Sequence, residues 1–387
     1  MARGSKADAP LRVLYLTSSL EVGGAERLLI DFFDAYEKAR ARCAAPRAVD
    51  VAYLVTNDRV DPGLRAQLLA TGAAGAFWGR AEGSGRLGVL RRLLAHVRAG
   101  GFRVVHAQNT GTKYWGMLLK MLVPGLRLVF TVHNTYDVPT YRGLKLFLHR
   151  RLVDANIAVS RAVLAGCEAQ RLPHSLLIYN GIQAGRIRGK EGYALPAPPA
   201  PPRLVCTSRL VPELKGQHVI LDALALCIQE SRPFRIVFVC GTEGGYAEAH
   251  RGLLARAEAL GIPDGLVEFA GQRPDVWEIL CGFDGYVHAA FSEALGLALL
   301  EAMAAGLPAV APDSAGPAEL ITHGETGLLY EAGSARALAD AVGRLFFEAP
   351  EAERQRIGGA ARAFAQTCDI AEMAAAYCRL YEEVAAR

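Results

Sequence analysis

Residues 195–203 read LPAPPAPPR. Five of these nine positions are proline, which supplies no backbone N–H and fixes its own φ, so the stretch can continue neither a helix nor an inner strand. It reads as a linker, and what lies on either side of it decides the fold. Before it, strand-like runs stand at RVLYLTS, VDVAYLVT, VVHAQN, RLVFTVHN, ANIAVS and SLLIYNG, with helical patterns between them at 25–42, 86–99 and 141–152. After it the alternation restarts with LVCTSRL, FRIVFVCG, VEFAGQR, GYVHAA and PAVAPD, separated by helical patterns at 216–230, 245–260, 275–281 and 296–305. Strands alternating with helices through short loops imply parallel sheets covered on both faces. The sequence therefore predicts an α/β protein of two doubly wound, Rossmann-like domains. Residues 1–190 form the first, 191–202 the linker and 203–364 the second, with a last helix, about 365–387, free to pack back on the first. Ligands of such sheets bind beyond the carboxyl ends of the strands, here expected in a cleft between the domains.

The bulk composition agrees. A chain of 387 residues, 51% hydrophobic and 21% charged, is globular and long enough for two cores. No apolar run reaches spanning length, and the N-terminal stretch lacks the pattern of a signal peptide, so the expected compartment is the cytoplasm. None of the eight cysteines forms a CxxC pair, and they read as small core residues or surface thiols. The net charge of +4 hides an asymmetry: residues 1–190 carry 28 Lys and Arg against 13 Asp and Glu, and the remainder 15 against 26. A basic half beside an acidic one suggests that the first half faces something anionic. Two segments mix Leu or Phe with Arg and Lys at helical spacing, 85–98 and 141–152, and either suits docking on the inner face of an anionic membrane. The plain alternative is an amphipathic helix covering the sheet. A nucleic-acid partner is not expected, because no zinc, helix-turn-helix or RNP-like signature accompanies the charge.

Four constellations carry chemistry. SSLEVGGAER (18–27) follows the first strand and opens a helix, where paired glycines bring backbone N–H groups toward an anion. TSRLVPELKGQ (207–217) places Arg209 and Lys215 just past a strand, a pair suited to a diphosphate. SEALGLALLEAMAAGLPAV (292–310) sets Glu293 and Glu301 eight apart in an otherwise apolar run. Eight residues of helix would put them about 80° apart, so Gly296 is expected to mark the helix start, with Glu293 in the preceding loop and Glu301 in the second turn. The N–H groups of 294–297 are then open to a ligand, and the two carboxylates suit sugar or ribose hydroxyls. Finally, polar residues collect at strand ends of the first half: His106, Gln108, Asn109, His133, Asn134, Ser160 and Asn180.

In this order the motifs resemble the retaining nucleotide-sugar glycosyltransferases of family 4, with the two-domain GT-B fold. The resemblance runs through GGAER, VHN (132–134), AVS (158–160), YNGI (179–182), SRLVPELKG, GTEGG, FAGQRPDV and, most specifically, the E-x7-E element of FSEALGLALLEAMAAGLPAV. Two departures are Ala294, where glycine is common, and Ala315, in place of one glycine of a usual pair.

The resemblance implies roles. Arg209 and Lys215 would hold the donor diphosphate and stabilise its charge as it leaves. Glu293, with the backbone of Ala294, Leu295, Gly296 and Leu297, would hold the donor sugar, and Glu301 the ribose. Gln272 and Arg273 would line the base pocket, Gly24 would bring backbone onto the phosphates, and His133 would approach the donor sugar. His106 and Asn109 would lie on the acceptor side. It further implies hexosyl transfer with retention from a nucleotide-sugar, most commonly a UDP-sugar, to an acceptor such as a lipid-linked saccharide or glycan precursor. No DxD-type metal motif stands at a strand end, so no metal or cofactor is expected. An epimerase of related fold would instead need acids in the first half, where Asp137 and Asp154 are the candidates. A non-catalytic nucleotide-sugar binder would not require both cations and both glutamates.

Overall fold

The computed structural model describes residues 9–42, 48–81, 85–197 and 200–387. Cys43 and part of the proline-rich stretch lie outside these residues. The chain divides into two compact units, one formed by the described residues through Gly181 together with Ile370–Arg387, the other by Ile182–Asp369.

The first unit is built on seven parallel strands: β1 (Leu11–Thr17), β2 (Val49–Asn57), β3 (Gly75–Arg80), β4 (Val104–Ala107), β5 (Arg127–Val132), β6 (Ala155–Ala158) and β7 (Ser175–Leu177). Their order, β3-β2-β1-β4-β5-β6-β7, winds outward in both directions from the β1–β4 pair. The inner strands β1, β4, β5 and β6 are almost wholly buried, as expected of a sheet covered on both faces. The second unit repeats the plan with β8 (Arg203–Thr207), β9 (Arg235–Val239), β10 (Val267–Phe269), β11 (Gly285–Val287), β12 (Ala309–Pro312) and β13 (Leu328–Tyr330), in the order β10-β9-β8-β11-β12-β13. Its core joins Leu204 and Cys206 of β8, Phe238, Val287 and Val310 to the helix Gln217–Gln229 and the helix Ala335–Gly343.

Two strands escape the sequence reading, β3 (GAFWGR) and β13 (LLY), and both are sheet edges. An edge strand needs no continuous apolar run, since one side of its ladder is open, and glycine at two of six positions further weakens the signal of β3.

The domain boundary also differs from the expectation. The chain leaves the first unit at Gly181, not at the prolines, and residues 182–193 already belong to the second. Backbone and side-chain bonds fix them there: Arg188 N donates to Trp277 O, Lys190 N to Ala305 O and Lys190 Nζ to Phe283 O, while Arg354 Nε donates to Tyr193 O. The described prolines, Pro196, Pro201 and Pro202, therefore come after a segment already laid on the second unit. At the other end, that unit runs through the helix Glu351–Gln366 to Asp369, and Gly358 sits within this helix because a Cβ there would lie 2.3 Å from Gly306 O. The C-terminal helix, Ile370–Ala386, returns to the first unit, where Tyr377 and Tyr381 are fully buried.

Candidate functional site

The second unit gathers the phosphate-binding candidates on the loops that follow β8 and β11. After β8 the chain turns through Ser208 and Arg209 into the short helix Pro212–Lys215, then through Gly216 into the helix Gln217–Gln229. Gly216 holds φ +67°, and a Cβ there would lie 2.1 Å from Ala289 O, so this junction admits glycine alone. Fully buried Gln217 secures the loop, its Nε2 donating to Ser208 Oγ and to Arg209 O, both at 2.8 Å. Arg209 is exposed, and among the described residues no carboxylate pairs with it. It is a cation on a fixed backbone with its charge open.

Lys215 is engaged. Its Nζ donates to Glu293 Oε2 at 2.5 Å, across 78 residues, and both side chains are largely sheltered. Glu293 lies in the loop before the helix Leu297–Ala304, whose N-cap is Gly296 at φ +100°. Glu301 falls in the second turn of that helix and accepts from Trp277 Nε1 at 3.1 Å. The loop is clamped from below: Gly316 N donates to Glu293 O, and a Cβ at Gly316 would meet the backbone of Leu295 within 2.6 Å. Of the pair at 315 and 316, the position that must be glycine is still glycine, and Ala315 is tolerated. Ala294, Leu295 and Leu297 line this turn as the sequence predicts.

His288, just past β11, is buried with Nε2 lacking any hydrogen-bond partner, 3.9 Å from Glu293 Oε2. Burial lowers its pKa to about 4, so the ring is neutral at pH 7. Gln272 and Arg273 follow β10. Arg273 makes a bidentate pair with Asp275 at 2.7 and 2.6 Å and lines a cavity of about 630 Å³ with Arg188, Lys190 and Arg203. Arg209, Lys215, Glu293 and Glu301 do not line that cavity.

The first unit has a cavity of about 180 Å³ of its own, lined by Glu26, Gln108, Asn109, Thr110, His133, Asn134 and Asp137 among others. His133 Nε2 bonds Gln108 Oε1 at 2.8 Å, and burial lowers its pKa to about 4. Asn109 is the N-cap of the helix Thr110–Leu122 in a capping box with Thr112, and its Nδ2 donates to Ser18 Oγ. Asp137 Oδ2 accepts from Thr110 and Asn134 at 3.1 and 3.0 Å. Asp154, the other acid considered, is structural: it takes Lys120 Nζ, Arg127 Nη1 and the N–H of Leu128.

His106 is corrected. It lies inside β4, not beyond it, is wholly buried, and bonds Tyr381 of the C-terminal helix and Thr131 of β5, so it cannot touch an acceptor. Gly24 opens the helix Gly24–Arg42 as expected, but Glu26 folds back over the turn, where a Cβ on Gly23 would lie 2.5 Å from Glu26 Oε2. An internal carboxylate thus already sits at this helix start, where an anion is favoured.

Two family models match the chain: the one described as Glycosyltransferase Family 4 over residues 22–186, and the one described as Glycosyl transferases group 1 over residues 201–347. The chain is a family 4 glycosyltransferase. It is 29% identical to the lipopolysaccharide core biosynthesis mannosyltransferase LpsB of Rhizobium meliloti over 73% of its own length and 80% of that protein. It is 31% identical to the lipopolysaccharide core biosynthesis glycosyltransferase LpsE of the same organism, over 59% of the chain and 63% of LpsE. The crystal structure of HepE from Anabaena in complex with UDP and glucose superposes with a TM-score of 0.77 at 23% identity, covering 96% of this chain and all of that one. The fold of the glycosyltransferase is accordingly GT-B.

Three residues of the candidate site were invisible in the sequence. Gln217 acts by folding back on Ser208 and Arg209 of the preceding loop, Trp277 through its bond to Glu301, and His288 is a lone histidine in an apolar run. Buried Lys113 joins them in the first unit, set over the rings of Phe130 and Tyr141 with its pKa lowered to about 7 by burial. Among the described residues no group of three or more His, Cys, Asp or Glu is placed to hold a metal ion, and no helix is long and apolar enough to cross a membrane.

Proposed function

We propose that this glycosyltransferase moves a hexosyl group from a nucleotide-sugar, a UDP-sugar foremost, to a saccharide or lipid-linked saccharide acceptor, with retention of anomeric configuration and without a metal. The observation that carries this reading is the Lys215–Glu293 pair, set beside the start of the helix Leu297–Ala304 and on the same unit as the open cation Arg209. Donor binding exchanges partners: the diphosphate takes Lys215 and Arg209, and Glu293 turns to the sugar hydroxyls. The ribose hydroxyls go to Glu301, which Trp277 already orients. As the C1–O bond to the diphosphate breaks, negative charge grows on the leaving oxygen. Fixed cations and a helix start stabilise that charge without reorganising. The acceptor oxygen bonds C1 on the same face, and its proton passes to the leaving diphosphate oxygen. Glu293 and Glu301 bind hydroxyls and do not act as the acid and base of a glycosidase. The UDP in the HepE complex supports the donor class, and the lipopolysaccharide core relatives support a saccharide acceptor.

The test is a panel of UDP-, GDP- and ADP-sugars incubated with the purified enzyme, with and without chelator, following nucleotide release and the anomer of the product. The reading requires release from at least one donor, unaffected by chelator, with retained configuration. Chelator-sensitive release or an inverted product overturns the corresponding element.

A peripheral position on the cytoplasmic face of an anionic membrane belongs to the same proposal. Of the two basic segments, the helix Arg86–Ala99 buries Val89, Leu93 and Val97 and so covers its sheet. The helix Gly143–Leu152 instead leaves Leu144 and Phe147 71% and 58% exposed, with exposed Arg142, Arg150 and Arg151 beside them. Apolar side chains among cations suit an acidic lipid surface. Flotation with acidic liposomes, lost in Leu144→Ser/Phe147→Ser, is expected; recovery of the wild type solely in the soluble fraction contradicts it.

A further inference from the structure

Buried His106 belongs to a longer chain of polar side chains. On β4 and the residue pair beyond it, His106 and Gln108 are two apart and point to one face of the sheet. On β5, Thr131 and His133 repeat that spacing on the neighbouring strand. The C-terminal helix lies over this face, and Tyr15, Tyr377 and Tyr381 enclose the His106 ring with centroids 5.0, 5.2 and 5.6 Å away. A continuous chain of hydrogen bonds results. Tyr381 Oη lies 2.6 Å from His106 Nδ1, Gln108 Nε2 is 3.0 Å from His106 Nε2, and Gln108 Oε1 is 2.8 Å from His133 Nε2.

The chain has a direction. With the Gln108 amide oriented so that its nitrogen faces His106, that nitrogen donates and Nε2 of His106 accepts; Thr131 Oγ1, a hydroxyl able to donate or accept, stands 2.7 Å from the same ring nitrogen. Its proton is therefore on Nδ1 and is given to Tyr381. At the other end the amide oxygen can only accept, which puts the proton of His133 on Nε2. Among the described residues nothing hydrogen-bonds Nδ1 of His133, and that ring borders the cavity of the first unit.

We propose that Tyr381, His106 and Gln108 are positioning residues that hold His133 in its Nε2–H form, leaving the Nδ1 lone pair to accept a hydrogen bond from a substrate hydroxyl. The C-terminal helix thereby sets the protonation geometry of a site residue that lies 248 positions earlier in the chain. The part given to Nδ1 rests on the glycosyl-transfer reading; the tautomer does not.

The experiment is nitrogen-15 NMR of the histidine rings in the full-length protein, with and without Tyr381→Phe. Removing the hydroxyl leaves the His106 Nδ1–H buried without an acceptor, a costly state. The ring relieves it by moving its proton to Nε2, the Gln108 amide turns over, and His133 changes to Nδ1–H. The expected result is a wild-type His133 with proton-bearing Nε2, an exchange of the two ring-nitrogen shifts in Tyr381→Phe, and a loss of turnover with the donor KM unchanged. A wild-type His133 already protonated on Nδ1, or one whose tautomer is the same in folded Tyr381→Phe, overturns the proposal. Should Tyr381→Phe not fold, Gln108→Glu decides, since it leaves the packing of the C-terminal helix alone. A carboxylate there keeps His133 in the Nε2–H form and raises its titration midpoint, while Glu26 and Asp137, the acids lining the same cavity, are unchanged. A midpoint equal to wild type overturns the proposal.

Discussion

At the scale of single residues, two of the second unit's positive-φ glycines stand beside its charged candidates. Gly216 and Gly296 both adopt positive φ, and each brings backbone to the turn that carries a charged candidate, Lys215 or Glu293. Gly216→Ala is expected to destabilise the unit by at least about 1–2 kcal/mol from the left-handed backbone alone, and by more because Ala289 O blocks the new methyl. Urea unfolding reads this directly as a lower midpoint at constant slope. Arg209→Ala removes an exposed charge without disturbing the core, so its melting should stay near wild type, whereas Lys215→Ala also leaves sheltered Glu293 without its cation and should melt lower. Donor turnover should fall at least about tenfold in each, the lower end of what losing one charge stabiliser costs. The cations were legible because they stand in a turn just past a strand, and the glutamates because they interrupt an apolar run. The sequence did not disclose that Lys215 is paired to Glu293, since nothing local links residues 78 apart.

At the scale of elements, the C-terminal helix is a structural part of the first unit. It contacts the helix Gly24–Arg42 and strands β1, β2 and β5, and packs the Tyr377 ring against Phe32. Tyr377→Ala should cost about 3–5 kcal/mol, the usual loss for a buried aromatic ring, and chemical denaturation should place the loss in the first unit alone. That helix also explains why His106 was misread. Strand alternation shows that a residue faces one side of a sheet, but not which later segment covers that side. His106 sits one residue inside the end of β4, and the cover arrives from the far end of the chain. The inner strands and the Gly296 helix start were legible because each follows from a local rule, period two or a glycine cap. The edge strands β3, partly exposed, and β13, only three residues long, carry too little of that pattern.

At the scale of the whole molecule, burial has left several histidines neutral. The pKa values of His133, His149 and His288 are lowered to about 4, and that of His106 falls well below the ordinary range, with desolvation the leading cause for all four. The unfolded chain takes up these protons near pH 6.5, whereas the folded chain resists until about pH 4. Stability is therefore fully present above about pH 6.5 and is lost as pH falls toward 4, at up to about 1.4 kcal/mol per pH unit for each histidine. Three of the four lie in the first unit, which should fail first on acidification. Unfolding midpoints measured by unit-specific probes between pH 7 and 4 check the order; equal or reversed sensitivity contradicts it. The charge asymmetry seen in the sequence follows the same division. The first unit takes most of the basic half, which makes liposome binding a property to be sought there.

The most direct test of the account is a crystal structure of the enzyme with an unreacted nucleotide-sugar. The account predicts the diphosphate within hydrogen-bond distance of Arg209 and Lys215, the Lys215–Glu293 pair opened, and Glu301 on the ribose. A diphosphate bound elsewhere, with Lys215 still held by Glu293, would contradict it.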